Sequence, residues 1–231
     1  MKGPARAKSM VFFYVAQMTA AAAAVMVLVW CINFRGGLAF ESTNKSLIFN
    51  VHPVLMLIGF IIMGSEAMMC YRVLPWSKKA NKLIHLVVHG IALVLGAVGI
   101  SAAFKFHNES GINNLYSLHS WLGLGTISLF AIQWILGFIT FFYPGASMSV
   151  RATSLPWHAL FGVFVYLLAI ATAELGFLEK LTFLEGSGLY RYSPEAFLVN
   201  STALVVILLG ASVVLSLIAP HVENTKIYNA E

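Results

Sequence analysis

Residues 83–104 read LIHLVVHGIALVLGAVGISAAF, a run of 22 residues that holds two histidines and no Asp, Glu, Lys or Arg. A helix needs roughly 20 predominantly apolar residues to cross the hydrocarbon core of a bilayer. Runs of this length are too long for barrel strands and lack their period-2 alternation. Five further windows meet the same length, at about 11–33, 50–71, 118–142, 155–177 and 197–219. We therefore predict an all-α integral membrane protein with six transmembrane helices.

The composition of the whole chain agrees with this class. Of its 231 residues, 59% are hydrophobic and only 10% are charged, and the mean hydropathy is +0.84. Soluble domains carry about 25% charged residues. The connections between the windows are short, so we expect one transmembrane domain over residues 1–231 and no separate soluble domain. The alanine-rich first window follows Lys2, Arg6 and Lys8, but it is longer than the apolar region of a typical cleaved signal peptide.

Lysine and arginine are distributed unevenly between the two sides of the predicted membrane. Nine lie on the side of the termini and five on the other side, where glutamates dilute them. Cytosolic loops are enriched in Lys and Arg, so we place both termini in the cytosol. The net charge of +5 mostly reflects this asymmetry, and we infer no nucleic-acid binding from it. The two cysteines, Cys31 and Cys70, end their spans on opposite faces, which excludes a disulfide between them.

Four histidines stand within about a turn of the start of spans two to five. Because successive spans alternate in direction, His52 and His119 lie near the non-cytosolic face, whereas His85 and His158 lie near the cytosolic face. The result is two pairs of equal depth in a central bundle of four helices. A bis-histidine haem needs two imidazoles on facing helices at one level, and helix bundles commonly hold cofactors in this way. Ionisable side chains inside a bilayer usually serve a function.

The pairing predicts two haems, one near each face. Histidine on both sides of the iron favours electron transfer over oxygen binding. No C-x-x-C-H motif for covalent attachment is present, so the haems would be of b type. His89 lies one helical turn from His85, and spacing alone does not decide which of the two binds iron. His85 matches the depth of His158 better, and we assign His89 to packing or to support of a ligand. His221 in the C-terminal tail is expected to be solvated.

Four short segments around these histidines resemble the cytochrome b561 family over roughly residues 30–220. They are Phe-Asn-Val-His-Pro at 49–53, Lys-Leu-Ile-His at 82–85, Tyr-Ser-Leu-His-Ser-Trp-Leu-Gly at 116–123 and Leu-Pro-Trp-His at 155–158. Together with Arg-Gly-Gly at 35–37, they look closest to the plant branch. The resemblance implies the same pairing of His52 with His119 and of His85 with His158. It also implies a homodimer that takes electrons from cytosolic ascorbate and passes them to monodehydroascorbate or a ferric chelate, and it suggests the vacuolar membrane.

Basic residues at the cytosolic ends of the spans are candidates for binding the ascorbate anion. Lys82 lies one helical turn before His85, where its ammonium group would bind an anion or a haem propionate, and we assign it a catalytic role. The other candidates on this side are Arg151, Lys78, Arg72 and Tyr143. Alternatively, these cations only set the orientation in the membrane.

On the opposite side, we predict an acceptor site in the connection 105–117. His107 would relay the proton that reduction of monodehydroascorbate consumes, which makes it the second catalytic candidate. Lys105 would steer the anion, and Phe106 and Tyr116 would line the mouth. An incidental surface histidine is the alternative. Glu66 and Glu174 lie inside spans and are equally consistent with structural roles and with proton transfer.

Two other classes of protein compete with this interpretation. A transporter of divalent metal ions or protons also places histidines in its spans, but at one site near the midplane and often beside broken helices. A structural membrane protein would leave the matched depths without a role. The separation of the four histidines into two levels favours the di-haem protein.

Overall fold

The computed structural model describes residues 4–219 of the chain, with side chains described from residue 10 onward. All regular elements in that range are helices. They are α1 Pro4–Val29, α2 Lys45–Val54, α3 Met63–Val73, α4 Lys78–Ser110, α5 Leu118–Gly137, α6 Met148–Gly186 and α7 Pro194–Ile218. Short π-helical segments extend three of them, at Trp30–Phe34, Leu55–Ile62 and Phe138–Phe142.

The segment Leu55–Ile62 joins α2 and α3 into one continuous helix, so the seven elements make six spans. Pro53 lacks an N–H group for the helical ladder, and the π-helical segment begins two residues after it. All six helices are long and apolar enough to cross a membrane. The predicted all-α fold with six transmembrane helices is therefore confirmed.

Polar caps fix where the helices begin. The side chains of Ser77, Ser117, Ser147 and Ser193 each accept a hydrogen bond from a backbone N–H in the first turn of α4, α5, α6 and α7. Asn44 does the same for α2. Such caps satisfy N–H groups that have no partner within the helix.

The observed helix starts correct the expectation that all four histidines lie within about a turn of the start of their helices. Only His119 lies within a turn of the start of its helix, because α5 begins at Leu118. The helices that carry His52, His85 and His158 begin earlier, at Lys45, Lys78 and Met148. Their first turns contain polar residues that extend the helix beyond the apolar window, so hydropathy alone missed them. The depth of each histidine within its apolar window is unaffected.

Spans two to five form the predicted central bundle. The second span packs against α4, α4 packs against α5, α5 packs against α6, and α6 also contacts the segment Leu55–Ile62. α1 and α7 pack on each other and lie against this bundle. On α1 the contact face is a stripe of small buried residues at helical spacing, made by Ala16, Ala20, Ala23 and Val27. Small side chains allow close approach of helix backbones in membrane proteins.

A buried charged contact connects the first loop to α7. Arg35 forms an ion pair with Glu195, which is only 6% exposed and also accepts a hydrogen bond from Trp30 Nε1 at 2.9 Å. Gly36 and Gly37 follow with φ of +84° and +116°, a conformation that favours glycine. The buried Asn50 amide donates to the Gly37 carbonyl at 2.8 Å. The Arg-Gly-Gly segment thus has a structural role as the connection between α1 and α2.

The bundle has two ends, which we name for reference. The tail end contains the beginning of α1, the end of α7 and the connections 74–77 and 143–147. The loop end contains the connections 35–44, 111–117 and 187–193. Cys31 and Cys70 are both buried and free, as predicted, in segments that end at opposite ends of the bundle.

Candidate haem centres and substrate sites

The four histidines meet in the two predicted pairs. At the loop end, the rings of His52 and His119 have centroids 6.0 Å apart. At the tail end, the centroids of His85 and His158 are 6.1 Å apart. A metal–imidazole bond is about 2 Å long and the ring nitrogen lies about 1 Å from the ring centre, so two imidazoles on opposite sides of one metal ion have centroids about 6 Å apart. Both pairs have the spacing that a shared iron requires.

Backbone carbonyl groups orient three of the four rings. The Nδ1 atoms of His52, His85 and His119 lie 2.9–3.0 Å from carbonyl oxygens of Gly99, Ala67 and Thr172, respectively. A carbonyl oxygen can only accept, so each Nδ1 carries the proton and donates. The lone pair is then on Nε2, as a ligand histidine requires.

His158 is held differently, by a side chain of the neighbouring helix α5. The Gln133 amide nitrogen lies 3.1 Å from His158 Nδ1 and donates to the His158 carbonyl oxygen at 2.7 Å. Gln133 therefore contacts both the ring and the backbone of this residue. The tail-end pair thus depends on a side chain that the sequence analysis did not single out.

Two glycines leave room for the imidazoles. A Cβ added to Gly176 would lie 2.7 Å from His119 Cε1, and one added to Gly137 would lie 3.0 Å from His158 Cε1. Both distances are shorter than ordinary contacts between carbon atoms. Gly176 follows Thr172, the partner of His119, by one helical turn, and Gly137 follows Gln133, the partner of His158, by the same interval. At each site, one glycine and one hydrogen-bonding residue thus position a histidine.

A cavity of about 460 Å³ opens beside the loop-end pair, and we call it the loop-end cavity. His52 and His119 are part of its wall, together with apolar side chains such as Trp30, Phe60 and Phe177. Its mouth is more polar and includes His107, Asn114, Tyr116, Ser117, Glu179 and Lys180. A mostly apolar cavity with a few polar groups is typical of a cofactor site. The lining of this cavity fits a flat, apolar macrocycle, which His52 and His119 would hold.

Three of the four predicted acceptor-site residues line this cavity: Phe106, His107 and Tyr116. The His107 ring lies 5.7 Å from the Phe106 ring and 6.2 Å from the Tyr116 ring. Partial burial and the neighbouring Glu179 carboxylate raise the pKa of the Tyr116 hydroxyl. His107 is not in a connection as predicted, because α4 continues to Ser110.

Asn114 fixes the tautomer of the His107 ring. Its amide nitrogen donates to Asn108 Oδ1 at 2.7 Å, so its oxygen faces His107 Nδ1, 3.2 Å away. Nδ1 therefore donates to this oxygen, and Nε2 has the lone pair.

Lys105 does not belong to the lining of this cavity. Its Nζ lies 2.5 Å from Glu41 and 3.1 Å from Glu109, and Glu109 also pairs with Lys45. The two carboxylates neutralise the ammonium that was expected to steer an anion. Glu109 lies one helical turn after Lys105 on α4, whereas Glu41 lies on the loop 35–44, so its contact with Lys105 depends on the fold and is not visible in the sequence.

Two charged residues at the cavity were missed, namely Glu179 and Lys180. The apolar window ended at residue 177, whereas α6 continues to Gly186. Gly176 lies one helical turn after Thr172, and Glu179 and Lys180 lie about two turns after it. All four residues therefore lie on a common side of α6. Helical periodicity counted from a longer α6 could have found them.

At the tail end, Lys82 is the predicted ascorbate residue that lies close to the histidines, and Arg151 lies about two helical turns before His158 on α6. Lys82 Nζ donates to the Phe141 carbonyl oxygen at 3.0 Å, and the Phe141 ring lies 5.2 Å from the His158 ring. Arg151 donates from Nε to the Ala146 carbonyl oxygen at 2.7 Å. Each of these hydrogen bonds uses only one of the donor groups of the cation, so Lys82 and Arg151, which we call the tail-end basic cluster, have further N–H groups for binding an anion.

The other predicted tail-end residues differ from these two. Lys78 and Tyr143 are exposed, Tyr143 to 70%. Arg72 donates to the carbonyl oxygens of Leu217 and Ala219 at the end of α7. Because these bonds cap the last turn of α7, the structure gives Arg72 a role in helix packing.

The remaining titratable candidates also have defined places. The His89 ring lies 4.5 Å from the His85 ring and 5.3 Å from Phe130, and its Nδ1 has no hydrogen-bond partner among the described residues. Glu66 accepts from Gln17 at 2.7 Å, and Glu174 Oε1 is buried without a described partner. His221 lies outside the described residues.

Comparison with known proteins identifies close relatives. A probable ascorbate-specific transmembrane electron transporter 1 of Oryza sativa subsp. japonica is 72% identical, covering 94% of each chain. Transmembrane ascorbate ferrireductase 1 of Arabidopsis thaliana is 61% identical over 91% of this chain and 88% of its own. A transmembrane ascorbate-dependent reductase of Bos taurus is 40% identical over 88% and 81%.

The family profile agrees with these relatives and with the positions of the histidines. Residues 51–184, which include all four paired histidines, match the profile of eukaryotic cytochrome b561. The chain therefore belongs to the eukaryotic cytochrome b561 family, whose members hold haem b.

Proposed function

We propose that the protein carries single electrons across a membrane, from cytosolic ascorbate through two haems b to an acceptor in the opposite compartment. One observation carries the proposal: two histidine pairs, each with ring centroids about 6 Å apart, lie at opposite ends of one four-helix bundle. The relatives named as ascorbate-specific electron transporters and as ascorbate ferrireductases support ascorbate as the donor.

Nε2 of His52 and of His119 would hold one haem, and Nε2 of His85 together with the ring of His158 would hold the other. Held by two histidines, such a group would supply reversible one-electron chemistry rather than oxygen binding. The surrounding residues fix the imidazoles, and the wall of the loop-end cavity around them is mostly apolar.

At the tail end, the basic cluster would receive ascorbate. The Lys82 ammonium and the Arg151 guanidinium would bind the anion, with Lys78 and Tyr143 at the exposed rim and Arg72 behind it. The ascorbate monoanion releases one electron and one proton as it becomes the monodehydroascorbate radical anion. The electron then crosses toward the loop end, and the proton returns to the cytosol.

At the loop end, Phe106, His107 and Tyr116 would form the acceptor site, with Lys105 at its margin. Reduction of monodehydroascorbate takes up one electron and one proton, whereas reduction of a ferric chelate takes up the electron alone. His107 would deliver the proton for the first reaction. Both acceptors are consistent with the polar mouth of the cavity.

We further propose that both termini face the cytosol, that the protein forms a homodimer and that it resides in the vacuolar membrane. The orientation rests on the uneven distribution of lysine and arginine, of which Lys2 and Lys226 lie outside the described residues. The homodimer and the membrane rest on the resemblance to the plant branch of the family.

The alternative of a histidine-based metal or proton transporter would need its histidines at a common midplane site. Here they form two separate pairs, and residues 4–219 contain no group of three or more His, Cys, Asp or Glu side chains suited to one metal ion. Electron transfer is the better explanation of this geometry.

A visible absorption spectrum of the purified protein tests the proposal. We expect a b-type spectrum that ascorbate reduces, and the loss of half of the haem on either His52→Ala or His85→Ala. A colourless protein would overturn the proposal. Loss of both haems in one variant that keeps its helical content would overturn the pairing.

A further inference from the structure

The loop-end cavity contains one basic side chain besides its histidines among the described residues that line it, namely Lys180. Its Nζ lies 4.0 Å from the centroid of the Phe49 ring and 5.9 Å from that of Phe106. The Phe49 ring in turn lies 6.0 Å from the His52 ring, and the Phe106 ring lies 5.7 Å from that of His107. The ammonium is thus held between the proposed haem ligand and the proposed acceptor site.

Within the described part of the chain, Lys180 forms no ion pair, in contrast to its basic neighbours. Arg35 pairs with Glu195, Lys45 with Glu109, and Lys105 with Glu41 and Glu109. The nearest carboxylate in sequence, Glu179, accepts a hydrogen bond from Ser117 at 3.1 Å instead. A half-buried ammonium without a counter-ion is unfavourable, and the two aromatic rings compensate only part of this cost.

The position along α6 indicates where an anion would lie. Lys180 follows Gly176, the residue in contact with His119, by one helical turn toward the loop end. A group bound by Lys180 would therefore lie on the loop side of the His52–His119 pair, at the polar mouth of the cavity. Lysine side chains interact with anionic oxygen atoms as a compact point charge.

We propose that Lys180 is the binding residue for an anionic oxygen group in the loop-end cavity, supplied either by a haem propionate or by the anionic acceptor. This inference deepens the proposed function and rests on it. Both sources present the same chemistry, an oxygen anion beside an apolar, aromatic surface. The two sources can be distinguished by experiment, because loss of Lys180 would change the haem potential if the ligand is a propionate and the KM if the ligand is the acceptor.

The test uses the full-length protein with Lys180→Met, and Lys180→Arg as the variant that retains the charge. Arg191→Met is the matched control, because Arg191 is an exposed cation at the same end of the bundle, 3.6 Å from Glu185 and outside the cavity. Redox titration of the purified protein, without donor or acceptor, measures the two haem potentials. Proteoliposomes loaded with ascorbate measure the KM for external ferric citrate and for monodehydroascorbate.

If a propionate is the ligand, Lys180→Met lowers the loop-end potential by up to about 59 mV, a tenfold change in a one-electron equilibrium, and leaves KM unchanged. If the acceptor is the ligand, the KM for the acceptor rises about tenfold, as for the loss of a charged hydrogen bond, and both haem potentials stay unchanged.

Lys180→Arg restores whichever of the two quantities has changed, and Arg191→Met changes neither. Unchanged potentials and KM in Lys180→Met, or equal effects of Arg191→Met, would overturn this inference. Failure of the proposed function is distinct, because the unmodified protein would then show no haem spectrum.

Discussion

Gly176 of α6 lies against the imidazole of His119 on α5, so closely that an added Cβ would be 2.7 Å from Cε1. The ring cannot shift freely, because its Nδ1 donates to the Thr172 carbonyl oxygen at 2.9 Å. We expect Gly176→Ala to displace the ring and to remove the loop-end haem, while the tail-end haem stays. The haem-to-protein ratio, measured from the absorption spectrum, should fall by half.

Gly125→Ala is the control for this prediction. It makes the same change in the membrane-spanning part of α5, where an added Cβ meets no atom within 4 Å. It should keep both haems. Full haem content in Gly176→Ala would show that His119 does not need this close contact.

Gln133 holds His158 through two contacts, one to its ring and one to its backbone. We expect Gln133→Leu to loosen the ring, because residues that support a metal ligand typically contribute 10- to 100-fold, or about 1.4–2.8 kcal/mol, to metal affinity. When the purified variant is mixed with a haem-binding competitor such as apomyoglobin, the tail-end haem should be lost faster than from the unmodified protein, and the loop-end haem at the same rate.

Ser128→Ala serves as the matched change on the same helix. The Ser128 hydroxyl is exposed and bonds only to the Leu124 carbonyl oxygen of its own helix, at 2.8 Å. The Ser128→Ala variant should lose its haems at the same rate as the unmodified protein. If Gln133→Leu loses both haems equally, the glutamine supports the bundle rather than His158.

Hydropathy and histidine depth were sufficient to predict the six helices and the two pairs. Both follow from the cost of placing polar groups in a bilayer, which acts locally along the chain. The pairing of His85 rather than His89 with His158 also followed from depth, and the structure places the His85 ring 6.1 Å from His158.

Residues whose role depends on packing between helices could not be predicted in the same way. Gly176 and Gln133 act on histidines of other helices, and one sequence without its fold does not show which helix faces touch. The sequence did not show that Lys105 is paired with carboxylates, and it did not single out Lys180. Lys105 pairs with Glu41, which is distant in sequence, and with Glu109 on its own helix, whereas Lys180 lies in a helical extension beyond the apolar window.

Arg35 and Glu195 connect the end of the first span to the beginning of α7. Because Glu195 is only 6% exposed, Arg35→Met would leave a buried carboxylate with Trp30 as its remaining donor. Breaking a buried ion pair in this way costs about 3 kcal/mol or more. We expect thermal unfolding in detergent, followed by circular dichroism, to occur at a clearly lower temperature.

The double variant Arg35→Met/Glu195→Gln provides the control for this pair. It removes the unpaired charge while the amide oxygen can still accept from Trp30, so much of the stability should return. Equal destabilisation of the single and double variants would contradict an electrostatic origin and would point to lost packing of the arginine side chain.

His107 offers a way to identify the physiological acceptor, because the two candidates differ in proton demand. Its Nδ1 donates to Asn114, and its Nε2 has the lone pair that could take up and release a proton. Monodehydroascorbate needs one proton for each electron, whereas a ferric chelate needs none. His107→Gln retains a polar side chain but cannot take up and release a proton, so we expect kcat with monodehydroascorbate to fall by about 100-fold, as for loss of a general acid.

Reduction of ferric citrate by the same proteoliposomes should change little, and this second reaction is the internal control for haem content and folding. An equal loss with both acceptors would mean that His107 positions the acceptor or the macrocycle, and that the proton reaches the loop end by another route.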